Sequence, residues 1–442
     1  MATIERFTRR TLIVLMLALV MLAGGPWRSR AATNRFVAVG GSDTANDCTN
    51  SSQPCATIQH AVDQSGPISK PGPGDLIELG PGTYFENVDV SQSVTIQGDV
   101  TLGSTVNGNN SASVFTVGSL TATLIGLTIT NGNAGDPSEN SGGGINNFGT
   151  LTVIGCTITG NRATSLTTIG RGGGIFNQGG PNGLMVINST ISGNTAPLGG
   201  GIYNPPPDVA TVVNSTISGN SGILGGGILN GGTATLNLRN TIIAGSLGGG
   251  DCVNQGTIAT NVNNLIQDGS CTPALSGDPK LGPLQNNGGP TFTRALLPGS
   301  PAIDAGDDSV LGAPLFLTTD QRGPGFPRKS GPHVDIGAFE VQFDTCLKDN
   351  TTGNLLQWNR TTGAYKFTRC SDGFMLTGTG LVKLVNGIQT LTDFKSDRRI
   401  SAGLNTGQLT GNATLYLMVT GGVWQTIGIV DTNPAAVCAC PG

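Results

Sequence analysis

The phrase Thr190-Ile-Ser-Gly-Asn-Thr-Ala-Pro-Leu-Gly-Gly-Gly-Ile-Tyr-Asn204 returns, slightly changed, as Thr216-Ile-Ser-Gly-Asn-Ser-Gly-Ile-Leu-Gly-Gly-Gly-Ile-Leu-Asn230. Between residues 121 and 250 the Thr-Ile pairs of this phrase begin at residues 128, 157, 190, 216 and 241, which gives spacings of 29, 33, 26 and 25 residues. A period of this length is too long for one hairpin. Each repeat therefore predicts one structural turn, and the segment predicts a stack of turns.

Aligning the repeats places apolar residues above one another. One column contains Ile129, Ile158, Ile191, Ile217 and Ile242, and a second contains Ile125, Ile154, Ile187, Val213 and Leu238. β-Branched residues in register are typical of parallel strands stacked at about 4.8 Å, because each methyl group packs on the next.

Two polar columns run beside the apolar ones. An asparagine in each Gly-Asn turn and an asparagine at the end of each Gly-Gly-Gly-Ile-x-Asn give two predicted ladders, Asn161, Asn194, Asn220 and Asn147, Asn177, Asn204, Asn230. A stacked amide donates to one neighbour and accepts from the other, whereas an unpaired buried amide costs about 1–3 kcal/mol. The triple glycines supply the positive φ angles that a sharp corner needs.

These patterns select one solenoid class. A leucine-rich repeat needs Leu-x-x-Leu-x-Leu and a helical return, and calcium-binding glycine-rich repeats need an aspartate in each turn. The chain has neither. We therefore predict an all-β protein, a right-handed parallel β-helix with about three strands per turn.

The sequence divides into four segments, of which residues 1–31 are the first. Residues 32–275 predict the β-helix, residues 276–345 lose the repeat and are expected to close it, and residues 346–442 predict a small cysteine-containing all-β module. Near the N-terminus, Cys55 to Gln64 predicts one amphipathic helix with Ile58, Ala61 and Val62 on its apolar face. We expect this helix to cap the open end of the β-helix, because that end would otherwise expose unpaired strand edges.

Residues 1–31 predict an export signal. Arg6, Arg9 and Arg10 precede an apolar run from Leu12 to Ala23, and small residues around Ala31 supply a cleavage site. The run is too short for a membrane span, so we expect no transmembrane segment in the mature chain and a protein that is secreted or displayed on a bacterial surface. An uncleaved anchor is the alternative to cleavage, and both Sec and twin-arginine export remain open.

The composition excludes some partners. Charged residues make up 11% of the 442 residues, against about 25% in typical domains, and the net charge is −4. Nucleic acid is not an expected partner, because no basic surface is available for it.

Nine cysteines in an exported chain predict disulfides. Cys48 with Cys55 and Cys252 with Cys271 are close enough in sequence to close short loops. Cys156 falls in a column with Leu127, Ser189, Ser215 and Asn240, so we expect it to be a buried free thiol. The remaining disulfide candidates form a C-terminal group: Cys346, Cys370, Cys438 and Cys440.

The chain also resembles a known family. The segments Gly277–Pro290, Ala295–Gly306, Thr319–Gly323 and Asp335–Glu340 are similar to the choice-of-anchor Q domain, and Asp47 to Asn87 looks like the start of secreted pectin-lyase-like β-helix proteins. The Gly-Gly-Gly-Ile repeats also resemble those of polymorphic outer-membrane proteins. The resemblance implies a secreted or surface-displayed protein whose C-terminal anchor differs between members. This chain departs from that pattern, since it has neither a Leu-Pro-x-Thr-Gly motif nor a terminal apolar segment.

Catalysis by this fold needs acids at matching heights in successive turns. A lyase requires carboxylates that bind calcium with a nearby base, and a glycosidase requires two carboxylates within about 5–10 Å. Between residues 121 and 250 the only acids are Asp136, Glu139 and Asp208, in different parts of the repeat. His60 and His333 are expected at the surface. A polysaccharide lyase or glycoside hydrolase is therefore the alternative interpretation rather than the favoured one.

The tail contains the densest group of acids. Asp304, Asp307 and Asp308 are either a calcium site or, by default, loop carboxylates that accept hydrogen bonds from backbone amides. No other cofactor is expected. Asp320, Arg322 and Asp335 are expected to form a structural set of ion pairs.

One further column suggests binding. The x of Gly-Gly-Gly-Ile-x-Asn is Phe176, Tyr203 and Leu229 in three successive turns, and it points outward if the preceding isoleucine points inward. Stacked exposed aromatic rings hold sugars or protein partners. The default interpretation is that the flanking loops or the C-terminal module cover this stripe. The favoured function is non-catalytic adhesion through a polysaccharide or a surface protein, and a purely structural role in displaying the C-terminal module is the third interpretation.

Overall fold

The computed structural model describes residues 32–342 apart from 66–73, 136–139 and 166–168, together with strands in the C-terminal region. The predicted export signal lies outside the described residues, as do Asp136 and Glu139. Among the helices described, none has the length and apolar character that crossing a membrane requires.

The repeats form a right-handed parallel β-helix of about seven turns, which confirms the predicted fold. Each turn adds one strand to each of three parallel sheets, which we call sheets I, II and III. The strands of sheet I are Asn34–Val37, Asp75–Leu79, Val94–Gln97, Thr121–Ile125, Thr150–Ile154, Leu184–Ile187, Val209–Val213, Thr235–Arg239 and Thr257–Val262. The strands of sheet II are Gly82–Phe85, Ser104–Asn107, Leu127–Thr130, Thr157–Thr159, Thr190–Ser192, Thr216–Ser218, Ile242–Ala244 and Leu265–Ile266. The strands of sheet III are Val88–Val90, Phe115–Val117, Ile145–Asn147, Ile175–Asn177, Ile202–Asn204, Ile228–Asn230 and Cys252–Asn254.

The corner between sheets I and II requires a left-handed backbone. Gly126 and Gly155 occupy it in two turns, with φ of 63° and 62°. Asn188, Asn214 and Asn240 occupy it in the next three, with φ of 45°, 46° and 48°. Glycine and asparagine are the residues that adopt this conformation most readily, so the corner selects them.

The apolar core confirms the first predicted column for four turns and corrects it at the fifth. Ile217 pairs with Ile243, whereas Ile242 pairs with Thr216 on the outer face. Ile243 lies in the core, and Ile242 packs outward under the tail. Side chains alternate faces along a strand, so the one-residue shift moves Ile242 to the other side of the sheet.

The second predicted column is likewise confirmed in register for four turns, from Ile125 to Val213, and wrong at the fifth. Ile154, Ile187 and Val213 pair in register, but the series continues with Arg239 rather than Leu238. These side chains face outward next to the corner, where Val213 packs against Val310 and Val334 of the tail. The core position one residue earlier is filled by Leu124, Val153, Val186, Val212 and Leu238.

The asparagines of the turns form two hydrogen-bonded ladders. In the first, Nδ2 of Asn161 donates to Oδ1 of Asn194 at 3.0 Å, and Asn194 donates to Asn220 at 3.0 Å. In the second, Asn147 donates to Asn177 at 2.9 Å and Asn177 to Asn204 at 2.7 Å. The second ladder continues through Asn230 to Asn254, with distances of 2.8 and 2.7 Å.

A helix caps the N-terminal end, as predicted. It spans Ile58–Gln64 and buries Ile58, Ala61 and Val62. Thr57 caps it by accepting a hydrogen bond from His60 N, and the carboxylate of Glu86 accepts from Ile58 N and Gln59 N at 3.0 Å each.

The tail packs against the outside of the β-helix. Leu275 pairs with Leu265 at the last turn, but beyond it the chain turns back along the outside of sheet II. The tail has one antiparallel pair, Leu281–Gln285 with Thr293–Leu296, and a 3-10 helix at Asp308–Leu311. A second 3-10 helix, Gly180–Asn182, lies within the turns.

The described residues of the C-terminal region form two antiparallel sheets. Its first antiparallel sheet contains Thr345–Lys348, Leu355–Trp358, Ala364–Arg369 and Phe374–Thr379. Its second contains Leu381–Val385, Ile388–Phe394, Arg398–Asn405, Thr410–Val419 and Val423–Asp431. Cys346 falls in the first strand, and Cys370, Cys438 and Cys440 lie outside the described residues.

Candidate functional site

The predicted outward column exists in the fold. Phe176 pairs in register with Tyr203, and Tyr203 with Leu229, on three adjacent strands of sheet III. The rings of Phe176 and Tyr203 lie 5.7 Å apart, centroid to centroid, with their planes tilted by 49°. This separation is typical of a stabilising aromatic pair.

The column is not the exposed stripe that its pattern predicts. Phe176 is only 5% exposed and Leu229 only 2%, whereas Tyr203 is half-buried. The glycine turns explain the burial: a Cβ atom added to Gly199 would lie 2.7 Å from Cβ of Tyr203, and one added to Gly225 would lie 2.8 Å from Cβ of Leu229. Each turn thus folds back over the outward side chain that follows it.

Tyr203 is the ring of this column that still reaches solvent. Its Cε2 atom lies against Gly231 of the next turn, and the ring of Pro206 lies against Gly231 and Gly232. Pro206 and Pro207 are exposed. We call Tyr203, Pro205, Pro206, Pro207 and Gly231 the Tyr203 patch.

Asp208 borders the Tyr203 patch from inside the protein. Its Oδ1 accepts a hydrogen bond from Gly180 N at 2.7 Å, and its Oδ2 is buried without a hydrogen-bond partner. Desolvation raises the pKa of this carboxyl. It is the only acid of residues 121–250 whose placement the structure describes, so the described turns within that range contain no stacked pair of carboxylates.

The outer face of sheet II carries a threonine column, and the tail covers part of it. Thr157, Thr190 and Thr216 align on adjacent strands and are buried. The side chain of Gln321 lies between the first two: its Nε2 donates to Thr157 Oγ1 at 3.0 Å, and its Oε1 accepts from Thr190 Oγ1 at 2.6 Å. Thr216 Oγ1 accepts from Ala338 N at 3.1 Å.

Asparagines at the corner between sheets I and II also bind the tail. Asn188 donates to Thr319 O at 2.8 Å, and Asn263 donates to Ala305 O at 2.9 Å. Asn240 donates to Asp307 O at 3.0 Å and accepts from Asp307 N at 2.7 Å. Sequence analysis missed these residues, although their regular recurrence at positions 188, 214, 240 and 263 was a usable signal.

The acids considered for calcium are engaged elsewhere. Asp307 pairs with Arg239 and caps the 3-10 helix through Ser309 N, and Asp308 pairs with Lys329 at 2.6 Å. Asp304 pairs with Lys366 of the C-terminal module. The carboxylates of Asp307 and Asp308 accept hydrogen bonds from the backbone amides of Ser309 and Val334, which is the arrangement of the default interpretation, whereas the pairs with cations were not predicted.

One group of potential metal ligands stands out among the residues described, and its chemistry does not fit a metal. It consists of Cys48, Cys55 and His60. The two cysteines are joined in a disulfide, so neither offers a thiolate. His60 Nε2 lies 2.7 Å from Asn46 O, and His333 is exposed.

A buried ionic network organises the tail. Arg322 pairs with Asp320 at 2.6 Å, and its guanidinium lies between the rings of Phe326 and Phe339, at 4.0 and 3.8 Å from their centroids. Asp335, expected in the same set, does not pair with Arg322. It lies instead beside a pair that sequence analysis missed, Arg328 with Glu340 at 2.8 Å.

The cysteines match their predicted states where the structure describes them. Cys48 is bonded to Cys55 and Cys252 to Cys271. Cys156 is free and buried, and its burial raises the pKa of the thiol to about 12, so it is not a nucleophile. Its column contains Leu127, Ser189 and Ser215 as predicted, but continues with Thr241 rather than Asn240.

A pair of reciprocal hydrogen bonds, which was not predicted from the sequence, lies next to the Cys252–Cys271 disulfide. Asp251 N donates to Asp268 Oδ2 at 2.8 Å, and Asp268 N donates to Asp251 Oδ2 at 3.1 Å. Each carboxylate thus caps the backbone of the other, which is a structural use of a close acid pair.

The described residues provide a partly exposed aromatic patch, a sheet face that the tail covers in part, and acids that are engaged in structural contacts. No family model, curated protein or solved structure matches this chain, so its function has to be argued from these residues.

Proposed function

We propose that this chain is an exported, surface-associated β-helix protein that binds a glycan or a protein partner and performs no catalysis. The observation that carries the proposal is the Tyr203 patch. A half-buried tyrosine ring next to exposed prolines offers a rigid apolar surface with a hydroxyl at its edge, which suits the face of a sugar ring or a partner side chain.

The contacts that the acidic side chains already make support binding rather than catalysis. The described acids that cluster in the tail bind cations or backbone amides, and Asp208 has no second carboxylate at the same height in a neighbouring turn. A glycosidase requires two carboxylates at a defined separation across an open groove. The part of sheet II beneath Gln321 is not open.

Export is supported by two observations. Residues 1–31 have the composition of a signal peptide, and two disulfides hold the ends of the β-helix. We propose cleavage near Ala31. Cell fractionation and the mass of the mature N-terminus test this step, and a protein that stays in the cytoplasm with residues 1–31 intact would contradict it.

Membership of the choice-of-anchor Q family is a further part of the proposal. The segments that carry the resemblance also supply the buried contacts of the tail: Gln321 and Arg322 lie in one, and Asp335 and Glu340 in another. A motif whose polar residues are buried and paired is a structural signature, which fits a family defined by fold and display rather than by one reaction.

The test measures binding and product release on the same samples. We expect the mature protein to bind some member of a panel of polysaccharides and surface proteins without releasing reducing or unsaturated ends. Tyr203→Ala should weaken that binding by about 1 kcal/mol, roughly fivefold, because a ring contact is lost. Phe85→Ala is the matched control, since it removes an exposed ring from another part of the β-helix.

Two outcomes would change the conclusion. Product release that stops on substitution of Asp208 would favour the lyase or glycosidase alternative. Binding that is equal in wild type and Tyr203→Ala would remove the Tyr203 patch from the proposal. Phe176→Ala separates packing from binding, because the buried ring should affect stability first.

A further inference from the structure

The buried charges of the tail do not balance. Three cations have buried side chains in this region: Arg322, Arg328 and Lys366. Four carboxylates are buried with them: Asp304, Asp320, Asp335 and Glu340. Three of the carboxylates each pair with one of the cations, and Asp335 is left over.

Asp335 is held by backbone amides instead. Its Oδ1 accepts from Asp304 N at 2.7 Å and its Oδ2 from Val341 N at 2.6 Å. Nη2 of Arg328 donates to the backbone oxygen of Asp335, not to its carboxylate, at 3.3 Å. Oε2 of Glu340 accepts from Asp335 N at 2.8 Å, which brings a second carboxylate close to the first.

Among the residues whose side chains the structure describes, the surrounding elements offer Asp335 no free cation. Arg239 of sheet I pairs with Asp307, and both Lys329 and His333 are directed at Asp308. The charged groups that the described residues place around this part of the tail are Arg239, Asp304, Asp307, Asp308, Asp320, Arg322, Arg328, Lys329, His333, Glu340 and Lys366.

A buried carboxylate without a cation is costly, and the usual outcome is that the group keeps its proton. Desolvation, followed by the charges of Glu340 and Asp304, raises the pKa of Asp335 well above its ordinary value. Desolvation also raises the pKa of Glu340, to about 7, although Arg328 opposes that shift.

We propose that Asp335 carries a proton at neutral pH while the tail is docked on sheet II, so that docking of the tail is linked to proton binding. The docked state holds a proton that the released, solvated tail gives up. The stabilisation of docking that this proton supplies is therefore fully present below about pH 4 and is lost as the pH rises. The population of undocked tail increases by up to about tenfold per pH unit. Rising pH thus uncovers the threonine column of sheet II.

Hydrogen exchange tests this linkage. In the wild-type full chain, the protection of the amides of Asp304 and Val341, corrected for intrinsic exchange, should fall by up to tenfold per pH unit between pH 5 and pH 8. Asp335→Asn should flatten this dependence, even if it shifts the absolute protection by losing one acceptor. Asp278→Asn is the control, because it neutralises an exposed tail carboxylate and should keep the wild-type slope.

Infrared spectroscopy of the wild type gives a readout that needs no variant. We expect a protonated carboxyl band in the folded chain at pH 7 that persists through the pH range in which protection falls and disappears only at the higher pH where protection stops falling. Absence of the band at pH 7, or protection that does not depend on pH, would overturn the proposal. Measured at pH 8, above the pKa of Glu340, a band that persists in folded Asp335→Asn would overturn the assignment of the proton to Asp335.

Discussion

Gln321 and Thr157 are separated by 164 positions in the chain, yet Gln321 Nε2 donates a hydrogen bond to Thr157 Oγ1 at 3.0 Å. The same amide nitrogen lies 3.2 Å from Cys156 O, and the amide oxygen accepts from Thr190 Oγ1 at 2.6 Å. One side chain of the tail thus uses both ends of its amide to join two neighbouring turns of the β-helix.

Replacing Gln321 by leucine should weaken docking of the tail. The substitution leaves the Thr190 hydroxyl buried without its partner, which costs roughly 1–3 kcal/mol. Limited proteolysis within residues 286–341 and thermal melts measure the effect. Gln285→Leu, at an exposed position of the same tail, should behave like wild type. Equal cleavage of the two variants would contradict the role of Gln321.

Ile191→Asp should disrupt the turns around it. Ile191 is fully buried and pairs with Ile158 and Ile217, so the new carboxyl would have no polar partner. The expected loss is roughly 3 kcal/mol or more in the free energy of unfolding. Met185→Asp is the control, because Met185 is 37% exposed on the outer face of sheet I. Denaturant unfolding of both variants should separate them clearly.

Asn194→Leu should cost less than Ile191→Asp. It removes the acceptor of Asn161 Nδ2 and the donors to Ile158 O and Asn220 Oδ1, and the unpaired groups cost roughly 1–3 kcal/mol. Asn237→Leu, on the half-exposed outer face of sheet I, should cost much less. If chemical denaturation gives the two variants the same stability, the ladder does not contribute as its geometry indicates.

The free thiol gives a pH-dependent prediction. The pKa of Cys156 is raised to about 12 by burial, so the thiol stays neutral between pH 6 and pH 9 and should resist alkylation in the folded chain. Unfolding should make it reactive. Peptide mapping of labelled protein should find Cys156 labelled only after denaturation and Cys252 still bonded to Cys271. Labelling of Cys156 in the native protein, with its rate rising over this pH range, would contradict the burial.

The sequence was sufficient to predict the β-helix, because each turn repeats the same polar and apolar residues at the same height. It failed at the fifth turn, where adjacent Ile242 and Ile243 fit the pattern equally well and the corner decides which of them faces inward. The capping helix was predictable from a local pattern.

The candidate site was less predictable for a physical reason. Exposure of Phe176 depends on the path of the glycine turn before it, which the period of the repeat does not encode. The tail contacts sheet II across more than a hundred positions and has no period of its own, so no pattern connects Gln321 with Thr157. The charge imbalance at Asp335 becomes visible only when Lys366 is placed next to Asp304.

The corner asparagines also link the length of the tail to the number of turns in the β-helix. From Ala305 through Asp307 to Thr319 the tail reaches Asn263, Asn240 and then Asn188, so it passes the turns in reverse order. A protein that gained one turn within this span would move the outer two asparagines apart by about 4.8 Å. The segment between Ala305 and Thr319 would need about one or two more residues to reach both. Growth of the repeat array is therefore limited by a segment that contains no repeat, and the two must change in length together during evolution.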